Sequence, residues 1–267
     1  MSNSLPIGIF DSGIGGLTVT KAIMELLPSE NLIYLGDTAR VPYGIRDKKT
    51  ITEFALEITN FLLKKKVKVL VVACNTISAT SLNEIKKVSN VPVIDVIDPT
   101  VCKALESSKN KKIGVIGTRA TVDSKAYDLE FDKKGAKVTF SKACPLFVPL
   151  AEEGFIKHKA SEIIAKEYLS IFRKKVDVLI LGCTHYPVLK ELIQKSVGSD
   201  IALIDSANPT AEALKNLLEE KNLLNPSKFK GKLKFYVTDA PDRVYKIANI
   251  FFNGNFPGNL ERIDLSK

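Results

Sequence analysis

The stretch Val178-Leu-Ile-Leu-Gly-Cys-Thr-His-Tyr-Pro187 ends an apolar run of strand type in a cysteine, with Thr184 and His185 directly behind it. A structural cysteine belongs inside such a run, but this one stands at its lip. The same order occurs 109 residues earlier, in Val69-Leu-Val-Val-Ala-Cys-Asn-Thr76. Two further pairs run in the same order at nearly the same offset. Ile7-Gly-Ile-Phe-Asp11 matches Ile113-Gly-Val-Ile-Gly117, 106 residues on, and Asp95-Val-Ile-Asp-Pro-Thr100 matches Asp205-Ser-Ala-Asn-Pro-Thr210, 110 residues on. Each match is weak alone, because βα chains share a general pattern. Three in the same order at nearly one offset read as an internal repeat.

Outward from these stretches, short β-branched runs alternate with longer segments of helical period, the mark of parallel βα units. Strands are predicted over 7–11, 31–35, 68–73, 93–95, 112–117, 136–140, 176–182, 202–205 and 233–238. Helices are predicted over 15–27, 48–66, 77–88, 98–107, 121–134, 158–174, 187–196, 209–221 and 240–252. Phe54, Ile58, Phe61 and Leu62 show the helical spacing, sharing one face. The expected fold class is α/β: two related domains, each with a central, mainly parallel sheet flanked by helices. Residues 1–98 with 208–267 form a discontinuous first domain and 99–207 the second. Ligands of such sheets bind beyond the carboxyl ends of the strands. An active site in the cleft between the domains then has Cys74 and Cys183 on opposite walls.

Composition is that of a soluble globular protein, 45% hydrophobic and 26% charged, over 267 residues. No apolar stretch approaches membrane-spanning length, and no signal peptide is visible, so a cytoplasmic setting is expected. Four cysteines without a CxxC pair, and only two histidines, argue against disulfides and zinc. The net charge of +9 rests mainly on lysines scattered along helical faces, with only six arginines, and carries no specific nucleic-acid signal.

Both cysteines follow one local order: strand, small residue, cysteine, a threonine within two positions, then a helix. A helix N-terminus favours a thiolate. Phe10-Asp-Ser-Gly-Ile-Gly-Gly-Leu-Thr-Val19 is a glycine-rich strand-to-helix turn lacking the Gly-Lys-Ser/Thr of a P-loop and the full dinucleotide fingerprint. At its head Asp11 either caps the turn or accepts a proton from, or orients, a facing thiol. His185 is either a helix-cap residue or acid/base support for Cys183. His158, between lysines, is assigned to the surface and Cys102, within a helix, to the core. Pro42-Tyr43-Gly44 carries turn cues. Cys144 to Gly154 reads as a proline-bounded apolar loop ending in Glu152 and Glu153.

At these residues the sequence resembles the glutamate racemases, of the cofactor-independent aspartate/glutamate racemase superfamily. The stretches carrying the resemblance are IGIFDSGIGGLTV, YLGDTARVPYG, VVACNTISA, IGVIGTRATV, CPLFVPLAEEG and LGCTHYPVL, spanning residues 7 to about 189. The resemblance implies racemisation by two thiols, one on each face of the substrate Cα, without pyridoxal phosphate or metal. Cys74 then takes the proton from D-glutamate and Cys183 from L-glutamate. Asp11 is the implied partner of Cys74; His185, with Glu152, that of Cys183. Glu152 is chosen over Glu153 because it directly follows the Val-Pro-Leu-Ala run. Ser12, Pro42, Tyr43, Gly44, Asn75, Thr76, Thr118, Thr121 and Thr184 are the implied substrate contacts. A homodimer and a supply of D-glutamate for peptidoglycan also follow from the resemblance, as does a superfamily alternative, an aspartate or other amino-acid racemase. Two readings of other classes stand beside it. A cysteine hydrolase would use Cys183 with His185 and leave Cys74 unexplained. A non-catalytic binding protein would draw on the +9 charge.

Overall fold

A computed structural model describes residues 2–265; the expected domain limits at residues 1 and 267 lie outside them. Ten strands are found among these residues: β1 Ile7–Asp11, β2 Leu32–Gly36, β3 Val69–Val72, β4 Val93–Asp95, β5 Ile113–Gly117, β6 Val138–Ala143, β7 Val178–Gly182, β8 Ala202–Ile204, β9 Leu233–Val237 and β10 Leu260–Arg262. The helices are α1 Leu17–Leu26, α2 Lys48–Lys64, α3 Asn75–Val88, α4 Ile97–Ser107, α5 Arg119–Asp123, α6 Ala126–Lys133, α7 Phe147–Glu152, α8 Lys159–Leu169, α9 Lys190–Val197, α10 Ala207–Glu220 and α11 Pro241–Phe251.

The strands form two sheets, one in the order β10-β9-β2-β1-β3-β4 and one in the order β6-β5-β7-β8. Every strand pair is parallel, the α/β arrangement expected from the alternating pattern. The first sheet takes strands from both ends of the chain: β2 pairs with β9 from Leu32↔Leu233 to Gly36↔Val237. The second uses only the middle.

Parallel sheets are covered on both faces, so their strands are apolar throughout rather than alternating. In β3, Val69 and Val71 join the core under α1 and α10, while Leu70 and Val72 join the core under α2 and α3. In β7, Leu179 and Leu181 pack with α8 and α9; Val178 and Ile180 pack with α4 and α6. Charged side chains are buried here too: Asp11 at the end of β1, and Lys68, fully buried just before β3. Its Nζ pairs with Glu30 at 2.5 Å and donates to the carbonyls of Asn3 and Leu223.

Several predicted boundaries shift. The single helix expected over 121–134 is broken between α5 and α6, where Lys125 adopts φ 57°. The helix expected to reach residue 174 gives way to a 3-10 turn at Ser170–Phe172. α7 stands where a loop was expected. Pro149 is its third residue, within the first turn, where no intrahelical N–H is required. β10 was not predicted; it is a short, largely exposed edge strand.

Candidate active site

The carboxyl ends of β1, β3, β5 and β7 converge on one cavity of about 350 Å³, and both Cys74 and Cys183 line it. A larger groove of about 600 Å³ runs outside, along α3, α5 and α6, and neither cysteine reaches it.

Cys74 leaves β3 as the N-cap of α3, and its sulfur hydrogen-bonds the Ser12 hydroxyl at 3.3 Å. Burial pushes its thiol well above the ordinary range, and the nearby Asp11 charge adds to this, outweighing the hydrogen bonds from Ser12 and from the Ile77 N–H. Cys74 is therefore held as a thiol. Asp11 does not line the cavity. Its Oδ2 accepts from Gly13 N at 3.2 Å and Gly16 N at 3.0 Å, closing the glycine-rich turn, while its buried Oδ1 has no hydrogen-bond partner. Burial raises the Asp11 carboxyl too, against the opposing pull of His185.

The second cysteine is built differently. The helix expected over 187–196 instead opens as a 3-10 turn, Tyr186–Leu189, that leads into α9 at Lys190. Support for the Cys183 sulfur comes from a side chain: His185 Nδ1 lies 3.9 Å away. The opposite nitrogen, Nε2, meets Glu152 Oε1 at 2.9 Å. Burial alone would lower the His185 pKa, but Cys183 and Glu152 together raise it to about 10. Burial opposes the same pairing on Glu152, and His185 again prevails, holding that carboxyl below its ordinary value. The result is an imidazolium–carboxylate pair beside the sulfur. Glu153 faces away and pairs with Arg243 on the surface. Gly15 explains part of the local glycine pattern. A Cβ there would sit 2.5 Å from His185 Nδ1 and closer still to Thr184 Oγ1, so only glycine lets the turn reach the second sheet.

Ser12, Pro42, Tyr43, Gly44 and Asn75 also line the cavity, as do Thr76, Thr118 and Thr184. Thr76 and Thr118 hydroxyls bond at 2.9 Å, joining α3 to the start of α5. Thr121 lies behind Thr118, bonded to it at 2.9 Å, and does not reach the cavity. Of the residues singled out from the sequence, twelve line the cavity, and Asp11 and Thr121 stand one layer back. Val41, Ile45, Pro145, Val148 and Pro149 form an apolar wall that was not anticipated. The one available signal was the proline-bounded run at 145–149, read only as a loop. Tyr127 and Ser206 were also missed; their hydroxyls accept from Asn75 Nδ2 at 2.8 and 3.3 Å.

Cys144 lies behind the Cys183 wall, where burial pushes its thiol up to about 12. Cys102, expected in the core, is only half-buried, because its position on α4 faces Asp98 at the helix surface. His158 is exposed as expected and caps α8. Among the described residues no group of three or more His, Cys, Asp or Glu side chains is placed to hold a metal ion, and no helix is long and apolar enough to cross a membrane.

Comparison with known proteins bears directly on this arrangement. A glutamate racemase of Syntrophus aciditrophicus is 46% identical over 262 residues, covering 97% of each chain. The solved glutamate racemase of Francisella tularensis, in complex with D-glutamate, superposes with a TM-score of 0.92 at 42% identity and covers 98% of both chains. That of Bacillus anthracis reaches a TM-score of 0.94 at 35% identity, with the same coverage. The family model described as Asp/Glu/Hydantoin racemase matches residues 7–214, so that the two-cysteine cleft, the paired sheets and the sequence agree: the chain belongs to the Asp/Glu/Hydantoin racemase family.

Proposed function

We propose that this protein interconverts L- and D-glutamate by exchange of the Cα proton between Cys74 and Cys183. The observation that carries the reading is that both thiols line one small cavity, each with a different charge environment. Glutamate as substrate is supported by the full-length similarity to glutamate racemases.

Racemisation removes the Cα proton from one face and returns one to the other, so one base per face is the direct arrangement. The geometry supports an asymmetric starting state. An imidazolium stands beside the Cys183 sulfur, while Cys74 rests as a thiol beside Asp11. In that state Cys183 takes the Cα proton of L-glutamate and Cys74 delivers its own to the opposite face. D-glutamate is consumed after the roles exchange. His185 and Glu152 manage charge at Cys183, and Asp11 does so at Cys74. Ser12, Asn75, Thr76, Thr118 and Thr184 hold the substrate with neutral donors, which add no strong positive charge to compete for the thiolate. Thr121 supports Thr118 from behind. The apolar wall of Val41, Val148 and Pro149 keeps water from the carbanion-like transition state. In this reading residues 1–98 with 208–267 and residues 99–207 are two halves that close on the substrate. A cytoplasmic setting keeps the thiols reduced, the enzyme self-associates as a homodimer, and its D-glutamate serves peptidoglycan synthesis.

The test is incubation with L-glutamate in deuterated water, following optical rotation and deuterium at Cα. Rotation decays to zero as one deuterium enters per turnover; decay without deuterium uptake defeats the two-thiol exchange. Cys74→Ala and Cys183→Ala each abolish racemisation. Near wild-type turnover in either variant overturns the pairing, and a requirement for Cys183 alone points to a nucleophilic hydrolase.

A further inference from the structure

Asp37 directly follows β2 and has no role yet assigned. Its side chain is fully buried, at 0% exposure, and accepts hydrogen bonds from three directions. Oδ2 takes a short bond from the Tyr43 hydroxyl and a charged one, at 2.6 Å, from Arg40 Nε. Oδ1 accepts from the Thr238 hydroxyl, just past β9, at 2.8 Å. The Asp37 N–H, in turn, donates to the carbonyl of Asp11 at 3.2 Å. The carboxylate thus ties the end of β9 to the loop that carries Tyr43, while the Asp37 backbone holds the end of β1.

That loop is one wall of the cavity. Tyr43 and Gly44 begin a single 3-10 turn, Tyr43–Ile45, which has few backbone bonds to hold it. Arg40 stacks over Phe54 with its guanidinium carbon 4.0 Å from the ring centre, and Tyr43 meets the same ring at 5.5 Å. Gly44 abuts Thr118, since a Cβ at Gly44 would come within 2.6 Å of the Thr118 Cβ. Gly44 is therefore where this loop touches the second sheet. A carboxylate acceptor with charged and hydroxyl donors is the strongest anchor such a loop can have, being both directional and charge-assisted.

We propose that Asp37 is a positioning residue for the racemisation reaction: through Tyr43 and Arg40 it sets the 41–45 loop against Thr118 and so fixes the substrate-binding wall. Asp37 touches neither thiol and takes no part in proton transfer. Its loss loosens the grip on substrate and leaves the chemical step intact. The inference rests on the racemase reading above.

The experiment measures kcat and KM for L- and D-glutamate, with the thermal midpoint, for wild type, Asp37→Asn, Tyr43→Phe and the double variant. Asp37→Asn keeps the side-chain volume but gives up the charge facing Arg40. KM rises roughly tenfold or more in both directions in this variant, while kcat stays within about threefold. Tyr43→Phe, which keeps the ring on Phe54 and is the milder change, raises KM as well. The double variant is no worse than the worse single one, because both remove the same tether. Unchanged KM in both single variants, with only a lower thermal midpoint, overturns the proposal in favour of a purely structural role. Strictly additive KM effects also overturn it. A wild-type protein that neither racemises nor binds glutamate removes the reading on which the proposal stands; an active wild type with indifferent variants removes the proposal alone.

Discussion

His185 decides how the two thiols differ. Its pKa stands near 10 because Cys183 and Glu152 overcome the cost of burial. Since this folded-state value lies above the ordinary 6.5, protonation of His185 stabilises the fold fully below that ordinary value, and the contribution is lost as pH rises through about 10. The expected outcome is a histidine ring resonance titrating near 10 by NMR, moving down in Glu152→Gln and in Cys183→Ala. A wild-type midpoint at or below 6.5 would sink the imidazolium reading. Much of this was legible in the chain, because Cys183, Thr184 and His185 are adjacent and their chemistry is local. Glu152 was reached only through resemblance and its place after an apolar run. Tyr127 carried no readable signal, and Asp37 and Ser206, though inside stretches singled out from the chain, carried no sign of what they bond. Their importance lies in bonds to partners that the fold, not the sequence spacing, brings near, as in Ser206 to Asn75, 131 positions apart.

At the scale of elements, the predicted strands of the two sheets recur with small shifts, because parallel strands buried on both faces leave an unbroken apolar run. Two of the four edge strands, β6 and β10, fared worse, while β4 and β8 recur within one residue. β6 begins two residues later than predicted and runs on to Ala143, and its pairing with β5 carries an irregularity between Ile113 and Gly114. It is half-buried, so its apolar signal is diluted. β10 is exposed enough to lack that signal altogether. A buried ion pair, also invisible to periodicity, joins the entry of β3 to distant segments. Lys68 holds Glu30, Asn3 and Leu223, and Glu30 Oε1 accepts from Asn225 N at 2.8 Å. Lys68→Ala strands the Glu30 charge inside the protein and is expected to cost about 3–5 kcal/mol, read as a lower urea midpoint. Removing the exposed Lys87–Glu84 pair is the control, expected to cost under about 1 kcal/mol. Equal shifts for the two would show that the buried pair has no special weight.

On the scale of the whole molecule, the repeat identified in the chain corresponds to two sheets whose strand ends share one cavity, but the repeat is not a simple tandem. The first sheet keeps a place for β9 beside β2, and β9 comes almost two hundred residues later. A chain cut after residue 226 therefore leaves β2 with an unpaired, fully buried edge. It is expected to aggregate or to bind a hydrophobic dye strongly, whereas a soluble fragment with a sharp unfolding transition would contradict this. The same placement has a consequence during synthesis. As the chain emerges from the ribosome, every strand of the second sheet is available before the first sheet has received β9. The half that begins first is thus the half that finishes last, and its β2 edge stays open until β9 has emerged.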